Sequence, residues 1–283
     1  MRIDELLAAG PTRSFEFFPP KSDEESATLA ASLEDIQPLQ PSFVSVTYRG
    51  GRESRQRTFD LVTQIERDGY VTAMAHVICV GHSRAEMRDL LKNYSDAGVQ
   101  NIMALGGDIP KDPSAAHSEF EHAIDLIDVA REIGDFAVGV AAHPAGHPRS
   151  PDLVSDRRYL AEKLALADFA VTQFFFEANE WTRLIDDLAE LGVTKPVLPG
   201  IMPVTTITGI ERMKTMGAAV PPTLVDRLFA ADQRGGATEV RAEGIRAAIA
   251  LCGELLDENA PGLHFYTLNN STTTSEIYHA LYG

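Results

Sequence analysis

Ser14-Phe15-Glu16-Phe17-Phe18-Pro19-Pro20-Lys21 is the stretch around which the chain is organised. Its phenylalanines make a short apolar run of strand type. The two prolines stop it, because proline has no N–H to give to a ladder. One carboxylate, Glu16, lies inside that run. An unpaired charge is costly to bury, so Glu16 is either paired, turned to water, or held in a site where a raised pKa is useful.

Outward from this segment, short apolar and β-branched runs recur with helical patterns between them. Candidate strands are 14–18, 43–47, 71–79, 101–105, 136–142, 169–175, 196–201 and 263–268. Candidate helices are 24–36, 55–68, 84–97, 119–133, 156–165, 181–191, a longer helical insertion over 207–257, and 274–281. Alternation of strand and helix implies parallel pairing through crossovers. Eight such units in 283 residues predict a single (β/α)₈ TIM barrel over 1–283, with the insertion between strands seven and eight. An open doubly wound sheet is the alternative. Its dinucleotide-binding form is disfavoured because no Gly-x-Gly-x-x-Gly turn follows the first strand. No repeat, low-complexity tract or linker marks a second domain.

In a barrel of this kind the active site is built at the C-terminal ends of the strands. Those ends collect an unusual set of polar groups: Glu16, Thr47 and Tyr48, His76, Gly106-Gly107-Asp108, His143 and His147, Thr172 and Gln173, Met202 and Thr205, and Tyr266, Thr267 and Asn269. Two chemistries suit the ring. One is a metal-dependent hydrolase with His76, His143, His147 and Asp108 as ligands. Pro144 and Pro148 keep the two later histidines off a common helical face, and no His-x-His pair ends the first strand. The other is acid-assisted reduction of a bound heterocycle, with Glu16 as proton donor.

Composition narrows the partners. With 44% hydrophobic and 23% charged residues the chain can bury a large core. A formal charge of -16 repels nucleic acid and anionic membranes, so a small anionic ligand needs a local patch of donors. Two cysteines, Cys79 and Cys252, make neither a disulfide framework nor a metal-ligand spacing. Acids near the start replace the apolar stretch of a signal peptide, and no run is long enough to span a bilayer. A cytoplasmic protein of open oligomeric state is expected.

Eight blocks in order carry a resemblance: the Ser14 segment, Val-Ser-Val-Thr-Tyr from Val44, His76 to Cys79, Ala-Leu-Gly-Gly-Asp-Ile-Pro from Ala104, Ala-Ala-His-Pro-x-x-His-Pro from Ala141, Thr-Gln-Phe-Phe-Phe from Thr172, Pro-Gly-Ile-Met-Pro-Val from Pro199, and His-Phe-Tyr-Thr-Leu-Asn from His264. Together they resemble the methylenetetrahydrofolate reductase family. The resemblance implies a (β/α)₈ barrel that reduces 5,10-methylenetetrahydrofolate to 5-methyltetrahydrofolate, for methionine synthesis, with NADH or NADPH as electron source and FAD as the usual hydride carrier. It implies Glu16 as general acid, its pKa raised by Phe15, Phe17 and Phe18, Asp108 as the pterin-site carboxylate, Gln173 as the amide reading the pterin edge, and Tyr266 as a folate contact. A core role with satisfied polar ends is the alternative for Gln173 and Tyr266, and a folate-binding protein without catalysis is the alternative for the whole chain.

Positions matching the flavin contacts are Thr47, His76, Gly107, Asp108, His147, Asp156 and Lys163, with His143 where the family has tyrosine. Gly106 stands for an arginine, Tyr159 for an asparagine and Glu162 for another arginine. Two arginine charges are thus lost and an acid gained beside a doubly charged pyrophosphate. One lost charge-assisted hydrogen bond costs ~1.5–3 kcal/mol. The expectation is weak or absent FAD and hydride passed directly from nicotinamide to the folate. Gly209, Met213 and Asn270 also depart from the resemblance, which leaves the hold on the folate tail undetermined.

Overall fold

The computed structural model describes residues 1–47, 52–107 and 118–283. The sheet holds β1 (Thr12–Phe17), β2 (Phe43–Val46), β3 (Thr72–Ile78), β4 (Asn101–Leu105), β5 (Ala137–Ala142), β6 (Phe169–Thr172), β7 (Val197–Leu198), β8 (Gly200–Ile201) and β9 (Gly262–Tyr266). Every pairing is parallel, in the order β7-β6-β5-β4-β3-β2-β1-β9-β8. The two outer members are consecutive in the chain. The expected strand 196–201 is therefore two short strands divided at Pro199, the first pairing with β6 and the second with β9. One stretch of chain closes the ring, and the barrel expectation holds.

The closure has a local cause. Val171 pairs Leu198 and Gly200 pairs His264, so the chain changes partner within two residues. The orphaned N–H of Gly200 donates to the buried Thr172 hydroxyl at 2.8 Å, and Pro199 O accepts from His264 N at 3.0 Å. A Cβ on Gly200 would lie 2.3 Å from Thr172 O and 2.6 Å from the Tyr266 ring, so only glycine fits. Thr172, expected in the site's polar ring, is a closure residue.

Alternation along each strand sorts side chains between two cores. Phe15 and Phe17 of β1 face the layer of α2 (Asp23–Ile36), α3 (Arg52–Asp68), α4 (Arg84–Asp96), α5 (Ala123–Ile133), α6 (Leu153–Leu166), α7 (Ala178–Glu190) and α10 (Ser271–Tyr282). Phe43, Met74, Met103, Phe169, Val171 and Leu198 fill the barrel interior. Helix α1 (Ile3–Ala9), absent from the expectation, plugs the lower end: Ile3 joins that inner cluster and its N–H donates to Asn101 Oδ1. Ser14 and Glu16, two apart, point inward above this apolar floor, where they meet partners from neighbouring strands.

The long insertion is two helices, α8 (Ile207–Thr215) and α9 (Pro222–Asp257), the latter interrupted by non-helical Gly235 and Gly236. Met213, Val220, Leu224 and Leu228 from these helices pack with Phe174, Met202 and Val204 in a separate apolar cluster, with Tyr266 and Leu268 against it. The expected strand 169–175 ends at Thr172 for this reason: Phe174 joins the new cluster while Phe175 stays with the outer core. Among the described residues no helix is long and apolar enough to cross a membrane.

Thr172→Val keeps the shape and removes the partner of a buried N–H. Expected is a loss of about 1–3 kcal/mol in unfolding free energy, read from the urea midpoint. An unchanged midpoint removes the hydroxyl from the closure.

Candidate active site

Glu16 lies near the C-terminal end of β1 with 8% of its surface exposed. Its Oε2 accepts from Ser45 Oγ of β2 at 3.4 Å and lies 3.3 Å from His76 Nε2 of β3 and 3.5 Å from His264 Nε2 of β9. Parallel register explains the convergence, since Glu16 pairs with Ser45 on one side and Tyr266 on the other, two residues beyond His264. Ser14 Oγ stands 2.8 Å from the other nitrogen of His264. Both ring nitrogens of His76 are buried without a hydrogen-bond partner among the described residues, so its approach to Glu16 is an ion-pair contact rather than an aligned bond.

The charge states correct one expectation. Burial pushes the Glu16 carboxyl up, as anticipated from its phenylalanines, but His76, His264 and the Ser45 hydroxyl together bring it below the usual range. Burial also pulls the His76 imidazole down, more than Glu16 raises it. The resting pair is a carboxylate facing a neutral His76, with bonds from His264 and Ser45 holding the charge.

Of the other expected site residues, Gln173 donates from Nε2 to Met216 O at 3.1 Å, and its Oε1 accepts from Phe174 N. Tyr266 donates to Thr172 O at 2.8 Å, and burial, reinforced by Glu16, raises its phenol well above the ordinary value. Both polar ends thus have partners at the mouth. Asp108 and Tyr48 lie outside the described residues. Thr47 bridges β1 and α3, its N–H on Phe17 O and its carbonyl taking the Thr58 hydroxyl. Asn270 caps α10 through Thr272 N, Thr206 caps α8 through Gly209 N, and Met213 is buried against the mouth. Among the described residues no three His, Cys, Asp or Glu side chains are grouped to hold a metal.

A second constellation follows β5. His143 and His147 meet edge to face, centroids 4.7 Å apart. Buried Asp156 accepts from His147 N at 2.9 Å and Ser150 Oγ at 2.8 Å on Oδ1, and from Arg157 at 3.2 Å on Oδ2. Lys163 Nζ donates to Ala141 O at 2.8 Å, and burial lowers its pKa despite Asp156. Gly107 has φ +88, and a Cβ there would lie 2.3 Å from Ile78 Cγ2. Position 106 has no side chain, as read from the sequence, but Arg149 Nη2 donates to Gly107 O at 3.1 Å and lies 3.9 Å from the place of a Cβ on Gly106. A guanidinium thus returns beside that turn from another loop. His264, Ser14, Ser45, Arg149 and Arg157 were not singled out from sequence, although His264 opens one of the quoted blocks.

The family description that matches residues 2–282 is methylenetetrahydrofolate reductase. A 5,10-methylenetetrahydrofolate reductase of Pectobacterium carotovorum subsp. carotovorum is 33% identical over 270 residues, 95% of this chain and 89% of that one. The Escherichia coli K12 protein of the same name is 33% identical over 270 residues, with 95% and 90% covered. A solved structure of an uncharacterized protein from Clostridium thermocellum that binds two copies of 5-methyl-5,6,7,8-tetrahydrofolic acid superimposes with TM-score 0.70 at 13% identity, over 98% of this chain and 96% of that one, a likeness of fold.

His143 supplies a pH test. Burial, with His147, Lys163 and Arg149 reinforcing it and Asp156 opposing, pushes its pKa from 6.5 down to about 4. Between those values the unfolded chain binds a proton that the folded chain refuses, so stability falls as pH drops through that window and is full above it. Urea midpoints at pH 7 and pH 4.5 are expected to differ less in His143→Tyr than in wild type, by on the order of 1–2 kcal/mol. Equal differences would place the imidazole in water.

Proposed function

The chain belongs to the methylenetetrahydrofolate reductase family, and from that premise we propose that it reduces 5,10-methylenetetrahydrofolate to 5-methyltetrahydrofolate in the cytoplasm, with hydride coming directly from a nicotinamide dinucleotide. The observation that carries the reading is the Glu16 carboxylate, buried at the mouth of the barrel and in contact with His264, His76 and Ser45.

The bridge carbon of the substrate is bonded to N5 and N10. Protonation at N10 lets that C–N bond break with its electron pair going to N10, leaving an N5 iminium. Hydride from the dihydronicotinamide converts the iminium to a methyl group and leaves the oxidised nicotinamide cation. Glu16 delivers the proton. Its lowered pKa means that the carboxyl is ionised before substrate binds and has to gain this proton in the complex; His264, backed by the Ser14 hydroxyl, holds the same carboxylate oxygen at 3.5 Å. Folate covering the mouth would exclude water and strengthen the burial that already raises the carboxyl. Gln173 and Tyr266 serve the pterin from the mouth, Gln173 by exchanging its bond to Met216 O for the ring edge. Asp108 is assigned the pterin-site carboxylate on the resemblance alone.

A flavin would be held by Thr47, His76, Gly107, His143, His147, Asp156 and Lys163, and it would supply an intermediate hydride carrier. The unpartnered nitrogens of His76 are a place for such a ring to bond. Against retention, Asp156 makes three contacts inside the protein, Lys163 gives one of its three ammonium N–H groups to Ala141 O, and Glu162 is an exposed acid on the same helix. These facts support the flavin-free form, in which nicotinamide and pterin stack in one dry site.

Dihydronicotinamide oxidation on adding methylenetetrahydrofolate, followed with and without added FAD, tests both parts. Turnover without FAD, by protein lacking flavin absorption bands, is the expected result. Strict dependence on FAD overturns the direct transfer. Glu16→Gln is expected to fold normally and to lose turnover by two orders of magnitude or more, the scale of a lost general acid. A nearly full-rate variant would take Glu16 out of the mechanism.

A further inference from the structure

A chain of net charge -16 can hold an anion only where cations are gathered locally. The loop between β5 and α6 is such a place, and Arg149 stands at its edge. The loop is braced from beneath. Arg157, 4% exposed, donates to His143 O at 3.0 Å and Pro144 O at 2.6 Å, and is itself held by Asp156 and by Asp187 at 2.9 Å. Asp156 in turn takes His147 N and Ser150 Oγ, one on each side of Arg149 in sequence.

On this platform the backbone N–H of Arg149 donates to His147 Nδ1 at 3.1 Å, which places the proton of a neutral His147 on Nε2. The exposed Arg149 guanidinium crosses to the glycine turn after β4 and places one of its five N–H groups on Gly107 O. A single carbonyl uses little of a fork shaped for two oxygens of one anion. No side chain stands at 106, where the nearest atoms to the place of a Cβ are Ala123 N and Arg149 Nη2, both 3.9 Å away, while the Cβ side of Gly107 is filled by Ile78 and Val80. Lys163 and Arg149 both lie near enough to His143 to act on it electrostatically.

We propose that Arg149 binds a phosphoryl oxygen of a dinucleotide's pyrophosphate, the group common to nicotinamide and flavin dinucleotides. It thereby acts as a specificity residue for the reaction proposed above, on which this inference rests. The guanidinium replaces, from a different loop, the cation missing at 106.

Calorimetric titration with ADP-ribose, which carries that pyrophosphate without either redox ring, tests the contact directly. Affinity is expected to fall about tenfold in Arg149→Gln and to recover in part in Arg149→Lys. The ratio of kcat/KM for NADH to that for 1-methyl-1,4-dihydronicotinamide, which has no phosphate, should fall by a similar factor. With ADP-ribose binding weakened, a parallel FAD titration separates the sources: FAD binding weakened with the NADH KM unchanged assigns the phosphate to flavin, and a raised NADH KM with FAD binding unchanged assigns it to nicotinamide. Wild-type protein that binds ADP-ribose but oxidises neither donor overturns the proposed reaction and leaves Arg149 standing on the binding data. Unchanged ADP-ribose affinity in Arg149→Gln, no binding by wild type at millimolar ADP-ribose, or equal loss with both donors overturns the role of Arg149.

Discussion

A carboxylate buried inside a ring of parallel strands cannot be left alone, because removing it from water costs several kcal/mol unless neighbours replace the solvent. Around Glu16 the replacement comes from three other strands at once. Ser45, His76 and His264 bring a hydroxyl and two imidazoles to one oxygen, while the main-chain carbonyl of Glu16 takes the Thr267 hydroxyl at 2.6 Å. Each contact needs the register between β1 and its neighbours, so a slip of one residue would turn Glu16 toward the outer apolar layer. The charge and the barrel specify each other.

Closure of the ring is a second constraint, met at the bend of Pro199 and Gly200. The groups that settle it also shape the mouth: Thr172 gives its hydroxyl oxygen to Gly200 N–H and its carbonyl to the Tyr266 phenol. Tyr266 then packs edge to face on His264, centroids 5.3 Å apart, which links closure to the Glu16 cluster. Over this opening α8 and the first part of α9 lay an apolar cap, and Gln173 reaches up to the end of α8.

The distribution of charge follows the same economy of position. The chain is acidic overall, yet Arg149, Arg157, Lys163 and two histidines gather between β5 and α6, neutralised in part by Asp156 and Asp187. Two of these cations are turned inward as braces, which leaves Arg149 as the one set at the edge of the cluster with its guanidinium exposed. A position read in sequence as a lost arginine is, in space, a position served by another residue 43 along from it.

Sequence by itself determined the kind of fold and the place of its chemistry. The alternation of apolar runs with helical patterns forces parallel strands, and an acid between phenylalanines, two residues from Ser14, has to face away from the aromatic side of its strand. It did not reveal α1, whose seven residues carry too short a pattern, nor the break at Pro199, since a run of apolar residues does not say which neighbour each half will pair with. Only the tertiary structure decided the direction of the Glu16 pKa. The phenylalanines beside it in sequence desolvate it, but His264 and His76, distant in the chain, sit against it and outweigh them. Proximity across a closed barrel is set by register and by loops that fold back, and a charge responds to what is near in space.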